Sequence, residues 1–388
     1  MAMQPMTELA SLHPTHAEAG ADKLPVINGL RGLAILAVIY HHFFIPTSWF
    51  ANPIGTMPHP WNALWENGFT GVNLFFLLSG FVLYLPYANG SRRLLTWRDA
   101  RGFYLRRLSR LMPLYYLAAV VLIILAATTT SPAALLKQAL QLLSFSYMFG
   151  RYSIGPALNG PLWSFGVEVL FSLVFPALIV AILRFGIWRV FAAALMIGLA
   201  TRTVGYLWFP RLSGPHPLAE NLPGRIDEFV YGMAIAKLYA DRLFPPWASR
   251  LFWPGVGLIA LSWIGFSQSV HGNWPVVTHG VMNNLLDLGL AMVTLAALAG
   301  HRGGEFLSFR PLQLIGMMCF SLYVWHFPLM GILAPAQGLW VACALTATLS
   351  VLTYRYVEFG RARAWRDVMP GRMGPAAGAR PAPALTAP

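Results

Sequence analysis

Three side chains on one apolar stretch carry the first chemical signal. Residues 24–45 are almost wholly apolar, yet they hold Arg31, His41 and His42. At 100° per residue, Arg31 and His42 fall within about 20° of one helix face, roughly 16 Å apart along the axis, with His41 about 80° away. A guanidinium grips phosphate or carboxylate as a fork. An imidazole changes charge near neutrality and so handles protons. Ionisable groups inside a membrane-length run are costly, which makes each a functional candidate. A snorkelling arginine and a histidine bonded to a neighbouring helix form the plainer alternative.

The acids and the remaining cations extend this pattern. Glu168 follows Trp163 and Ser164, Arg225 stands beside Asp227 and Glu228, Asp287 follows Asn283 and Asn284, and His326 follows Ser321 and Tyr323. Local pairing accounts for some of them: Arg225 with Asp227 or Glu228, and Asp287 with either asparagine. Glu168 and His326 have no such local partner. Seven arginines crowd residues 92–110, and Arg107 and Arg110 run directly into the apolar Leu111-Met112-Pro113-Leu114-Tyr115. Anchoring at a membrane surface explains most of that cluster. Arg107 and Arg110 also suit a polyphosphate at the mouth of a bundle. Cations at one end, with a histidine, carboxylates and aromatics toward the other, match a phosphate-bearing donor on one side and a hydroxyl-rich acceptor on the other. Trp163, Tyr323 and Trp325 offer sugar-stacking surfaces, and an aromatic belt is the commoner cause of such residues.

The elements that must position these groups are membrane helices. Only 11% of the 388 residues are charged, against about 25% in soluble proteins. Apolar residues make up 57% and aromatics 14%, and the mean hydropathy is +0.57. That composition excludes an ordinary soluble enzyme. The net charge of +13 marks one membrane face rather than a nucleic-acid partner. Apolar runs of bilayer length predict ten spans, near 24–45, 69–88, 111–127, 161–183, 187–208, 222–240, 251–270, 281–299, 312–333 and 338–357. The expected fold is an all-α polytopic membrane bundle. The segment 92–110 is expected as an interfacial helix leading into the third span. Leu135–Leu143 is either a cap on the outer surface or plain packing.

With the N-terminus inside, 22 of the 27 basic residues fall on the cytoplasmic side. Lys137, Arg151, Arg202, Arg211 and Arg225 fall opposite, so both termini are expected inside. Residues 1–23 and 364–388 are expected as disordered cytoplasmic tails around a membrane domain at 24–363. Residues 1–22 hold Glu8, Glu18 and Asp22 and no apolar core, so no cleaved signal peptide is expected. Cys319 and Cys343 lie in apolar runs and read as buried thiols, and no metal site is expected.

Seven blocks in order resemble the integral-membrane acyltransferase family 3, across nearly all of residues 24–363. N-G-L-R-G-L-A-I-L-A-V-I-Y-H-H is similar to the family's arginine, ten residues, histidine signature and lands on Arg31 and His42. G-V-N-L-F-F-L-L-S-G-F resembles its second-span motif, and R-R-L-S-R-L-M-P-L-Y its paired arginines, here Arg107 and Arg110. L-W-S-F-G-V-E matches at Trp163, Ser164 and Glu168; R-I-D-E-F-V-Y-G, S-L-Y-V-W-H-F-P and Y-R-Y-V-E complete the set, the last ending on Glu358. Asn28 and Asn73 stand where the family usually has aspartate. The chain looks like the stand-alone subtype, without an appended periplasmic domain.

The resemblance implies transfer of an acyl group, most often acetyl, from cytoplasmic acyl-CoA to a hydroxyl of an exported glycan such as O-antigen or exopolysaccharide. Acyl-CoA would be a co-substrate, with no permanently bound cofactor. The setting would be a bacterial inner membrane, beside polysaccharide biosynthesis machinery. Arg31, Arg107 and Arg110 would hold the CoA phosphates, and His42 would be the general base. Glu168 would orient that imidazole or bind the acceptor. Ser79 would receive the acyl group covalently or serve close helix packing. Ser164, Arg225, Glu228, Tyr323 and His326 would support the acceptor side. The main rival is a transporter or flippase using His42, Glu168 and His326 as a proton relay; no repeated halves support it. A non-catalytic anchor for an export complex would not need Arg31 and His42 on one face.

Overall fold

A computed structural model describes residues 24–44, 67–208, 215–245, 247–270 and 272–360. The expected tails and most of the connection 46–68 lie outside the described residues. Among the described residues there is no strand. Helices satisfy every backbone group from within, as a lipid environment demands.

The first helix, α1 (Pro25–Phe44), opens on a proline whose missing N–H costs nothing there. A 3-10 turn, Asn67–Thr70, leads into α2 (Gly71–Ala88). The two run antiparallel in close contact. A Cβ on Gly71 would overlap the carbonyl of Ala34, and one on Gly68 that of Ala37. On its other side α2 meets α7 (Leu222–Ala240) backbone to backbone. A Cβ on Gly80 would strike the Phe229 carbonyl, and one on Gly232 that of Leu77. This is small-residue packing between membrane helices. Gly80, next to Ser79, makes the close approach on that side.

The arginine-rich segment leads into the third span without a break. From Trp97 on it forms the first turns of one continuous helix, α3 (Trp97–Ala126), of 30 residues, about 45 Å long. Thr96 and Asp99 close its N-terminus with a capping box: the Asp99 N–H donates to Thr96 Oγ1 (3.2 Å), and the Thr96 N–H donates to Asp99 Oδ2 (2.9 Å). A helix so started has no reason to break before the apolar run, and the charges ride on its end. The stretch Leu135–Leu143 lies in α4 (Pro132–Ser144) and packs along one edge. Leu142 is buried, its carbonyl accepting from Tyr115 Oη at 2.6 Å, while Leu136 and Leu140 stay exposed.

The rest of the bundle is α5 (Trp163–Phe185), α6 (Ile187–Trp208), α7, α8 (Phe252–Val270), α9 (Thr278–Leu298), α10 (Arg310–Met317), α11 (Cys319–Gln337) and α12 (Leu339–Thr353). A π-helical turn, Tyr354–Glu358, extends α12. Among the described residues, six helical segments are long and apolar enough to cross a membrane, and the pair α10 and α11, bent by 72°, makes a seventh if it is one span. The other three expected spans are helical at their expected places but miss that test. Helix α12 has 15 residues before its π turn. Helix α7 carries Arg225, Asp227, Glu228 and Lys237, and α1 carries Arg31 and the two histidines. Lys237 aside, that polarity is buried or half-buried within the bundle.

Candidate functional site

His42 and His326 form a pair. The last turn of α1 presents His42, whose Nδ1 lies 3.0 Å from the Val38 carbonyl and 3.1 Å from Nε2 of His326 on α11. The His326 ring is fully buried, with Nδ1 2.8 Å from the Tyr323 carbonyl and 3.2 Å from that of Leu322. Rings pack around both: Phe327 at 5.4 Å and His41 at 5.2 Å from His42, and Tyr323 at 5.5 Å from His326. His41 is turned instead toward Phe69, 5.5 Å away.

Glu168 is elsewhere. It pairs with Arg107 of α3 and accepts from Ser79 Oγ of α2 at 2.5 Å. Arg107 also donates through Nε to Ser172 Oγ at 3.1 Å, one turn along α5. The expectation that Glu168 orients His42 is therefore corrected, for a reason of length. Gly71 lies level with Ala34. His42 is eight residues beyond Ala34 toward one end, and Ser79 eight residues beyond Gly71 toward the other. The two sites stand about 24 Å apart along the axes. Arg107 is engaged by Glu168, so a phosphate would have to compete with that carboxylate. Arg31 and Arg110, the other two expected donor-site residues, are half-buried on α1 and α3.

The densest polar cluster joins α2, α6, α7 and α9. Arg202 and Asp227 make a double ion pair, at 3.0 and 2.5 Å, and are 1% and 0% exposed. Arg202 also reaches Asn284 Oδ1 and the Gly224 carbonyl, each at 2.5 Å. Arg225 bonds Glu228 at 2.5 Å, Asn283 at 2.7 Å, and Glu220. Asn73 Nδ2 donates to Glu228 (3.1 Å), Asn283 (2.9 Å) and Asp287 (2.9 Å). Thus Arg225 takes Glu228 rather than Asp227, and Asp287 takes Asn283 (2.8 Å) rather than Asn284. Carboxylate oxygens of Asp227, Glu228 and Asp287 lie within 4.8 Å of one another, a spacing that could hold a cation. Two guanidinium groups and two amides already serve these oxygens, so a cation would compete with them.

The aromatic residues expected to stack on sugar do other work. Tyr323 is 6% and Trp325 3% exposed. Tyr323 Oη donates to the Pro161 carbonyl (2.5 Å) and lies 2.6 Å from Ser164 Oγ. Trp325 Nε1 donates to Thr353 Oγ1 (3.2 Å). These bonds tie the start of α5 and the end of α12 to α11; both rings are too deep to meet a glycan. Trp163 is half-buried, with the Arg225 guanidinium 5.8 Å from its ring centre. Cys319 and Cys343 are free thiols, half-buried rather than buried as expected.

Sequence reasoning missed three things here: His326 as the partner of His42, Arg202 as a buried cation, and Ser172 beneath Arg107. The first two link residues far apart in the chain and leave no periodic signal. The third was open to inspection, since Ser172 is one helical turn from Glu168.

Comparison with known proteins adds a family to this geometry. The peptidoglycan O-acetyltransferase OatA of Listeria monocytogenes is 25% identical over 367 residues, covering 86% of this chain and 55% of that protein. The O-acetyltransferase OatA of Staphylococcus aureus is 23% identical over 362 residues, covering 86% and 56%. The chain thus spans about half the length of the curated relatives it matches. No solved structure matches it. A family model described as an acyltransferase domain matches residues 24–355, which hold both the histidine pair and the arginine–glutamate cluster, and the chain belongs to that family.

Proposed function

We propose that this membrane protein transfers an acyl group, acetyl in the first instance, from a cytoplasmic acyl-CoA to a hydroxyl of an exported glycan. One observation carries the reading: an imidazole pair at one end of the bundle lies, along the helix axes, about 24 Å from the Arg107–Glu168 pair toward the other. That distance suits one extended donor, its phosphates among Arg31, Arg110 and Arg107 and its thioester near His42. His42 then takes the proton of the glycan hydroxyl as general base. The relatives' names favour peptidoglycan as acceptor class over O-antigen or exopolysaccharide. Two of the five basic residues assigned to the outer side, Arg202 and Arg225, are buried in ion pairs and carry no topological weight. The remaining bias supports a cytoplasmic Arg110 end and an outward His42 end, in the inner membrane of a bacterium.

The test is mass spectrometry of glycan from cells with and without the gene, and with His42→Ala or His41→Ala. Acyl esters should vanish without the gene and with His42→Ala, and persist with His41→Ala. Unchanged esters in the deletion strain would end the reading. A cysteine at Ser91, in a chain otherwise free of thiols, should resist an impermeant reagent in intact cells.

A further inference from the structure

We propose that His326 is the positioning residue of this site: it fixes the tautomer of His42 and leaves Nε2 of His42 as the atom that takes the proton. The inference rests on the acyl-transfer reading above and begins at the buried ring. Nδ1 of His326 faces two carbonyl oxygens, at 2.8 and 3.2 Å. Carbonyls only accept, so this nitrogen carries the hydrogen. A neutral imidazole protonated at Nδ1 has its lone pair on Nε2. The partner of that lone pair is Nδ1 of His42, at 3.1 Å. Two lone pairs would repel, so Nδ1 of His42 carries its hydrogen as well. The Val38 carbonyl, 3.0 Å from the same nitrogen, requires the same assignment and shares the hydrogen. Nε2 of His42 is then the unprotonated nitrogen.

The transfer balances on that atom. The glycan O–H proton passes to Nε2 of His42 as the oxygen bonds to the thioester carbonyl carbon. The carbon–sulfur bond breaks, and the thiolate leaves with the proton that the imidazolium returns. Ester and thiol are the products. While His42 is charged, its Nδ1–H points at the His326 lone pair, a charge-assisted bond. His326 does not pass the proton onward, because its own hydrogen is held against the Tyr323 carbonyl. That carbonyl is fixed in turn: the Tyr323 hydroxyl is bound to Pro161 and Ser164. His326 thus does for His42 what a buried carboxylate does in a serine-protease triad, without adding a charge to the bundle.

Three substitutions test the role in purified protein, with acetyl-CoA as donor and N-acetylglucosamine–N-acetylmuramic acid oligosaccharide as acceptor. His326→Gln can place a carbonyl oxygen near the position of Nε2; His326→Asn falls short of it, and His326→Phe keeps the ring without an acceptor. Asn and Phe should lower kcat about 100-fold, inside the range for a disabled general base, with KM for acetyl-CoA within about twofold. Gln should recover at least about tenfold over Asn at a matching melting temperature. Gln no better than Asn would overturn the proposal. So would three fully active variants beside an inactive His42→Ala. Full activity in His42→Ala would instead sink the function reading beneath it.

Discussion

The histidine pair and the Arg202–Arg225 network are both buried and polar, and they are opposites. In the network, carboxylates, guanidinium groups and amides interlock across four helices, and most polar atoms have a protein partner. At the histidine pair only neutral groups meet, and their hydrogen bonds leave one ring nitrogen uncommitted. The network is where the ion pairs gather, yet it has the least room for chemistry. Reactive capacity lies where a group has a spare valence, and density of charge marks a fastening.

The largest test of that contrast removes one member of the fastening. Arg202→Ala leaves Asp227 charged and buried, and should cost about 3–5 kcal/mol. It should be read as a lower melting temperature in detergent and reduced accumulation in the membrane. Replacing both, Arg202→Met with Asp227→Leu, should restore most of the loss, because no charge is then stranded. If Arg202→Ala folds normally but stops glycan acylation, the network belongs to the site and the contrast fails. Asn73→Asp installs the family's usual residue but removes a donor that three acceptors share. It should cost about 1–3 kcal/mol, seen in the same melting assay, with kcat of the surviving protein near the parent's.

The donor end is sharpened by Arg31→Lys and Arg110→Lys. Each keeps the charge that sets orientation but loses the guanidinium fork, and each should weaken acyl-CoA binding by about tenfold in calorimetry. Equal binding would mean that these arginines only anchor the protein. Least affected should be Lys237→Ala, which deletes an exposed pair with Asp241 at 2.8 Å. That loss should stay near 0.3–0.5 kcal/mol, within the noise of a melting curve.

Much of the bundle was legible because it is local. Apolar runs and a proline at Pro25 mark where helices start and how far they extend, and the Arg31–His42 register follows from the period of one helix. The helix that leads into the third span was legible too, and Thr96 and Asp99 mark its start. The site itself was legible only in halves. His42 and His326 are 284 residues apart, and nothing in either segment encodes the other. Arg202 looked like an outer-side charge because it sits near the end of an apolar run. Only the return of α7 beside α6 shows it to be buried against Asp227.

The network also sets an order for biogenesis. When α7 leaves the ribosome, Arg202 is already made and can neutralise Asp227 at once, 25 residues after it. Arg225 and Glu228 bond each other as the same helix forms, but Asn283, which binds both, comes 58 residues after Arg225. At about 5–20 residues per second that is a wait of roughly 3–12 s. Through that interval Arg225 and Glu228 have Glu220 and Asn73 within reach but lack Asn283. Helix α7 is therefore expected to stay against α2 and α6 until α9 arrives, which would make membrane entry an event for a group of helices rather than for one span at a time.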